Sequence, residues 1–199
     1  MEVQAMAVTV WKPAGTCATD STMGTKSWLT TSSGTLVGTE VSSNNDVFAA
    51  TTASQGETSH LLRCTNFGFT SSDVPSGSTI DGIEIRLRRY RVSGTEPVVV
   101  DTNYRVVKGG TVQTTNTTKS GDWTTSEIED TLGNSTYLGG TTFTQSDILS
   151  SGFGVAVGVT TATGRIGVPG QSHFIDIVES RVYYTPPYSA NQSSMFLAF

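Results

Sequence analysis

The sequence predicts an all-β protein, an antiparallel β-sandwich of jelly-roll type with extended N- and C-terminal arms. Three observations predict it. Of 199 residues, 33 are Thr, 24 Ser and 21 Gly, against 12 Lys and Arg and 17 Asp and Glu. That stock is poor in helix formers and rich in the residues of pleated sheet and tight turns. In Ile83-Glu-Ile85-Arg-Leu87-Arg the apolar residues occupy every second position, the period of a strand with one buried face. Finally, about eight short apolar runs separated by Gly and Ser clusters suit a sandwich better than a chain alternating strand and helix.

Along the chain, residues 1–27 read as an arm or an edge strand, with Val3, Ala5 and Ala7 alternating against Met6, Val8 and Val10 up to Trp11. Short strands are expected at 35–41 and 47–52, and another from Leu61 to Phe69. A turn-rich stretch, SSDVPSGSTIDG, leads into the strand at 83–88. Strands follow at Val98–Lys108 and Thr111–Thr115, joined by a tight turn at Gly109-Gly110. Thr144-Gln-Ser-Asp147 is a start signal for one helical turn with Thr144 as its cap. Phe153–Thr160 and Ile175–Tyr184 are the last two strands, and Pro186-Pro187 stops the second of them. The domain is therefore drawn at 28–184, with 185–199 as a C-terminal arm.

Charge and motifs exclude more than they assign. A net charge of −5 and a pI near 4.9 disfavour a nucleic-acid partner, which needs a basic surface. No run reaches the roughly 20 apolar residues needed to cross a bilayer, so no membrane partner is expected. The start, MEVQAMAVTVWKPAG, lacks the pattern of a signal peptide, so the expectation is synthesis in a cytosol. Cys17 and Cys64 are then expected to be reduced and structural. His60 and His173 stand far apart without metal-ligand spacing, and no Gly-x-Ser-x-Gly elbow is present. Glu127, Glu129 and Asp130 read as a solvated face rather than a glycosidase pair. No catalytic residue, metal ligand or cofactor is expected.

Two surface features stand out. Arg86 and Arg88 share one face of their strand with Glu84 and Tyr90, either as a basic stripe for an acidic partner, neighbouring subunit or anionic glycan, or as a salt-bridged face. Arg89 falls on the apolar side, which implies a bulge or the end of the core there. Gly152, Gly154, Ala156 and Gly158 share one face of another strand. A face so bare admits close approach, and the expectation is that another chain or a terminal arm covers it.

The order Trp28, Asp46-Val-Phe-Ala-Ala-Thr, Asn66-Phe-Gly-Phe, Val74-Pro-Ser-Gly-Ser-Thr-Ile-Asp-Gly-Ile-Glu-Ile, Val106-Val-Lys-Gly-Gly, Trp123, Ser146-Asp-Ile-Leu-Ser-Ser-Gly-Phe-Gly-Val and Val182-Tyr-Tyr resembles a β-sandwich module of tailed-bacteriophage virion proteins. The resemblance covers roughly 28–184 and consists of turn-into-strand junctions, so it implies a fold and carries no catalytic residue. It implies a capsid decoration or cement protein on the outer surface of a phage head, made in the host cytoplasm. The major capsid protein and further copies of itself, as a trimer, would be its partners. Tyr188, Phe196, Leu197 and Phe199 in the C-terminal arm would join Gly152, Gly154, Ala156, Gly158, Arg86 and Arg88 as interface residues. The alternative is a tail or head appendage that binds host-surface carbohydrate, with Trp28, Trp123, Tyr137 and Tyr90 as candidate platforms.

Overall fold

The computed structural model describes residues 4–30, 34–36, 38–92, 99–161 and 171–188. The C-terminal residues Phe196, Leu197 and Phe199 lie outside them. Among the described residues thirteen strands follow one another: β1 (Ala7–Val8), β2 (Lys12–Pro13), β3 (Thr16–Asp20), β4 (Leu29–Thr30), β5 (Ala49–Ala53), β6 (Leu61–Thr65), β7 (Thr79–Arg91), β8 (Val99–Lys108), β9 (Thr111–Val112), β10 (Thr117–Asp122), β11 (Ile128–Gly133), β12 (Gly154–Thr161) and β13 (Gln171–Thr185). One short helix, α1 (Gln145–Leu149), precedes β12. The first sheet runs β11-β7-β13-β5-β4, with β1 and β2 also on β13; the second runs β10-β8-β12-β6-β3, with β9 on β8. The paired strands of both sheets are antiparallel, so the all-β sandwich holds.

The core lies between the sheets. Ile83, Ile85 and Leu87 of β7 and Ile175, Val178 and Val182 of β13 face Val155, Val157 and Val159 of β12, Leu62 and Cys64 of β6, and Val106 of β8. Two tryptophans anchor it, and each satisfies its indole N–H: Trp28 Nε1 donates to His60 O at 2.7 Å and Trp123 Nε1 to Thr102 Oγ1 at 3.0 Å.

Local signals in the sequence place several elements. Thr144 caps α1 through a reciprocal box, its Oγ1 accepting from Asp147 N while Asp147 Oδ2 accepts from Thr144 N. Gly109 and Gly110 both take positive φ, as a two-residue hairpin between strands of right-handed twist requires. Elsewhere the pairing departs from the reading. Residues 7–20 belong to the sandwich, because β1 and β2 pair with β13 and β3 pairs with β6, so the domain begins well before residue 28. The expected strand at 35–41 is absent among the described residues of that stretch; Val41 is buried, and its carbonyl accepts from Val178 N at 3.0 Å. The run Leu61–Phe69 is strand only to Thr65; Asn66 adopts φ 59° and ends it.

Arg89 stays on the core side at 5% exposure. The bulge falls on the neighbouring strand: Ile175 pairs with Arg89 and Ile177 with Arg88, leaving Asp176 as the extra residue. The Arg89 guanidinium is neutralised by Asp130 at 2.6 Å and lies 5.0 Å from the Trp123 ring centroid. Lys119 reaches the other oxygen of Asp130. Although burial opposes it, Lys119 and Arg89 hold the Asp130 carboxyl below its ordinary pKa. Removing one member of such a pair strands the other. Asp130→Ala is expected to cost about 3–5 kcal/mol in urea denaturation. The double change Arg89→Met/Asp130→Leu, which removes both charges, should recover most of that loss.

Candidate functional site

The outer face of the first sheet carries the densest group of polar and aromatic side chains. The period of two on β7 turns Glu84, Arg86, Arg88 and Tyr90 outward, opposite the core residues Ile83, Ile85 and Leu87. On β13 the cross-strand partners are Arg181 for Glu84, Glu179 for Arg86, Ile177 for Arg88 and Phe174 for Tyr90. Directly opposite residues share a face, so these pairs stand side by side.

One end of the face is aromatic. Tyr90 stacks on Phe174 with ring centroids 4.8 Å apart and planes 12° apart, and Phe48 meets both edge-on at 5.1 and 5.9 Å. All three rings are half-buried. Burial raises the Tyr90 pKa, and the nearby carboxylates of Glu127, Asp176 and Asp46 raise it further. The middle is a lattice of charges. Arg86 donates to Glu179 through two nitrogens at 2.6 and 2.7 Å and approaches Glu129 at 3.7 Å, while Arg88 lies 3.6 Å from Glu127. At the other end Arg181 donates to Glu84 at 2.6 and 2.7 Å, and the Tyr183 hydroxyl donates to the same oxygen at 2.8 Å. The Trp11 ring lies over both Arg86, at 4.8 Å, and Arg181, at 4.5 Å. Trp11 spans Arg86 and Arg181, the cross-strand partner of Glu84, so it lies four to six residues along β7 from Tyr90, about 13–20 Å.

The bulge supplies a further group. Asp176 is fully buried; its Oδ1 accepts from Asn45 N at 3.4 Å and its Oδ2 has no hydrogen-bond partner among the described residues. Its neighbour is another carboxyl, Glu127, and the two like charges oppose one another's ionisation. Burial raises the pKa of both groups, and each is raised further by a nearby carboxylate, Asp176 for Glu127 and Asp46 for Asp176.

The residues singled out in the sequence scatter over the molecule. Arg86, Arg88 and Tyr90 come together on this face. The two arginines face carboxylates on β13 and β11, so the stripe is largely neutralised rather than free for an acidic partner. Trp28 and Trp123 are core residues, and Tyr137 packs on Tyr104 at 4.9 Å, so none of the three forms a surface platform. His173 is buried edge-on against Trp123 and His60 stands beside Thr19 and Ser27 on the other sheet. Glu127, Glu129 and Asp130 each answer a different arginine.

The Gly152/Gly154/Ala156/Gly158 face lies under segments of its own chain, among them Met23 of the N-terminal stretch 1–27. A Cβ on Gly152 would meet Gly109 and Gly110, one on Gly154 would lie 2.1 Å from Cys64 O, and one on Gly158 would strike the end of Met23. Ala156 is buried with Leu61 and Val107 beneath Met23 and Val112. Arg63 of β6 donates to Gly110 O beyond β12, which places a long side chain across the bare strand. The small residues make room for these neighbours. Tyr188 is exposed at 65%. Phe48, Phe174, Trp11, Tyr183 and Asp176 were not singled out in the sequence. Phe48 lies inside the Asp46-Val-Phe block, but strand pairing alone brings the five together.

No protein-family model matches the chain, and no curated protein matches it in sequence. Among solved structures, the CBM22-1 xylan-binding domain of Paenibacillus barcinonensis Xyn10C is similar over 94% of this chain and 100% of its own, at 12% identity and a TM-score of 0.41. TmCBM61, solved in complex with β-1,4-galactotriose, is similar over 71% of this chain and 74% of its own, at 10% identity and a TM-score of 0.34. The likeness is one of overall arrangement.

The carboxyl pair makes a pH prediction with a definite sign. Both folded pKa values are raised, so the folded state holds protons more tightly than the unfolded chain. The contribution is full below the unfolded values, about 3.9 for Asp and 4.3 for Glu, and is lost as pH rises through the folded ones. Asp176→Asn removes a carboxylate that otherwise has to ionise in a buried place beside Glu127 and Asp46. Its thermal midpoint should exceed that of the parent at pH 7, by about 2–4 °C per kcal/mol gained, and the difference should shrink toward pH 4. Parallel melts across that range check it.

Proposed function

We propose that the protein is a non-catalytic carbohydrate-binding β-sandwich and that glycan lies along the outer face of the first sheet. The observation that carries the reading is the arrangement of this face, with aromatic groups at both ends and hydrogen-bonding charges between them. A pyranose presents apolar C–H faces and a rim of hydroxyls. The Tyr90–Phe174–Phe48 cluster and Trp11 offer the first a partner, and the Arg86, Glu179, Arg181 and Glu84 side chains offer donors and acceptors to the second. The charged groups are already held by one another, so little ordering is needed when a ligand arrives. A separation of about 13–20 Å between the ends suits an oligosaccharide spanning both rather than a single sugar.

A second reading, a decoration or cement protein of a phage head, is favoured by a different observation. Met6, Val8 and Val10 are exposed by 50, 45 and 69% on and beside β1 at the edge of the first sheet, and Gln4 Nε2 donates to Pro187 O beside the exposed Tyr188. An apolar row on an open edge is suited to a neighbouring subunit, whether the major capsid protein or another copy in a trimer. In that reading the protein resides on the outer capsid surface, and quantitative mass spectrometry of particles should find it in high copy.

Glycan-array screening followed by titration calorimetry tests the first reading. Tyr90→Ala and Trp11→Ala are each expected to weaken binding about tenfold or more, equivalent to about 1.4 kcal/mol, while the far-ultraviolet spectrum stays that of a β protein. Wild-type protein that binds no glycan, or variants that bind as well as wild type, would overturn the reading.

A further inference from the structure

Cys17 of β3 and Cys64 of β6 are directly opposite one another across the antiparallel pair. Both are buried, and both carry free thiols. The Cys17 N–H donates to Gly38 O at 2.7 Å, on the side of β3 away from β6. Its backbone therefore takes no part in the ladder at this point, and Cys17 and Cys64 form a non-hydrogen-bonded pair. In such pairs the Cα atoms approach to about 4.5 Å, closer than in hydrogen-bonded pairs, and the side chains stand adjacent on one face. A disulfide needs Cα atoms about 4.4–6.8 Å apart, so the strands already hold the two residues at bridging distance.

From this geometry we propose that Cys17 and Cys64 are a site of oxidative modification, closing an intrachain cross-strand disulfide without rearrangement of the sheet. The oxidant is a low-molecular-weight disulfide such as oxidised glutathione. Cys17, on the edge strand, attacks one glutathione sulfur as the thiolate; the external S–S bond breaks and one glutathione thiolate leaves. Cys64 then attacks the Cys17 sulfur of the mixed disulfide, forming the protein S–S bond and releasing the second glutathione. Two protein thiols are oxidised, one external disulfide is reduced to two thiols, and the two protons pass to them.

The surroundings make the reaction slow in the folded protein. The Cys17 Sγ donates to the buried Glu40 carboxylate at 3.4 Å. Burial, with the Glu40 hydrogen bond and charge, pushes the Cys17 thiol up to about 12, and burial raises the Cys64 thiol as well. Few thiolates form, so exchange waits on opening of the five-residue β3 or on folding in an oxidising medium. Closing the link ties β3 to β6 and shortens the unfolded chain's freedom between residues 17 and 64.

The full chain, denatured and refolded in a buffer of reduced and oxidised glutathione, tests the proposal by intact mass and by alkylation under denaturing conditions. The expected product is a monomer that has lost two hydrogens, takes up no alkylating agent, and melts on the order of 10 °C above the reduced form. Cys17→Ser should retain one alkylatable thiol and show no such rise. Refolded monomer with two alkylatable thiols would overturn the proposal. So would glutathione adducts or disulfide-linked dimers in place of the intrachain bond.

Discussion

Strand β13 carries the first sheet, and the pairing of twelve of its 15 residues with β7 is the constraint from which the rest of that sheet follows. One side of β13 is bonded to β7 for nearly its whole length. The other side takes β5, β2 and β1 in succession, so the N-terminal segment completes the sheet where β5 ends. A one-residue slip between β7 and β13 would turn Ile83, Ile85 and Leu87 to solvent and the arginines inward. Of the two register shifts between these strands, at Asp176 and at Tyr183/Tyr184, the first is the consequential one. It restores the register on either side of itself and buries a carboxyl on the surface where Tyr90, Phe48 and Glu127 converge.

The second sheet solves a different problem. Its central strand β12 is buried on both faces, and side chains on its outer face would collide with the backbone of β6 or the β8–β9 turn. Glycine and alanine at 152, 154, 156 and 158 remove that collision, and Met23 and Arg63 lie over the strand instead. The face is a bed for long side chains from neighbouring segments of the same chain. Packing of this kind stiffens the sheet, because each covering group is held by a strand other than the one it covers.

Charge on the outer face of the first sheet is arranged in alternating sign across β11, β7 and β13. Seven of the protein's 29 charged residues stand in this lattice. Exposed ion pairs add little to stability individually, but a lattice of them fixes the rotamers of long side chains. The result is a surface whose donors, acceptors and rings hold defined positions, which is the property a ligand-binding face requires.

The sequence by itself determined the fold class, the β7 strand with its buried and exposed faces, the Thr144 cap and the Gly109-Gly110 turn. Each of these depends on residues close together in the chain: a period of two, a hydroxyl three residues before a carboxylate, a pair of residues tolerant of positive φ. Tertiary structure alone decided what meets what. Tyr90 finds Phe174 and Phe48, Trp11 finds Arg86 and Arg181, and Cys17 finds Cys64, all through pairings between distant segments that leave no periodic trace. The bare face of β12 and the arginine stripe were visible in the sequence, but their partners were not. A strand's pattern reports which face is apolar; it does not report which segment lies beside it, because that choice is made by register and packing across the whole sandwich.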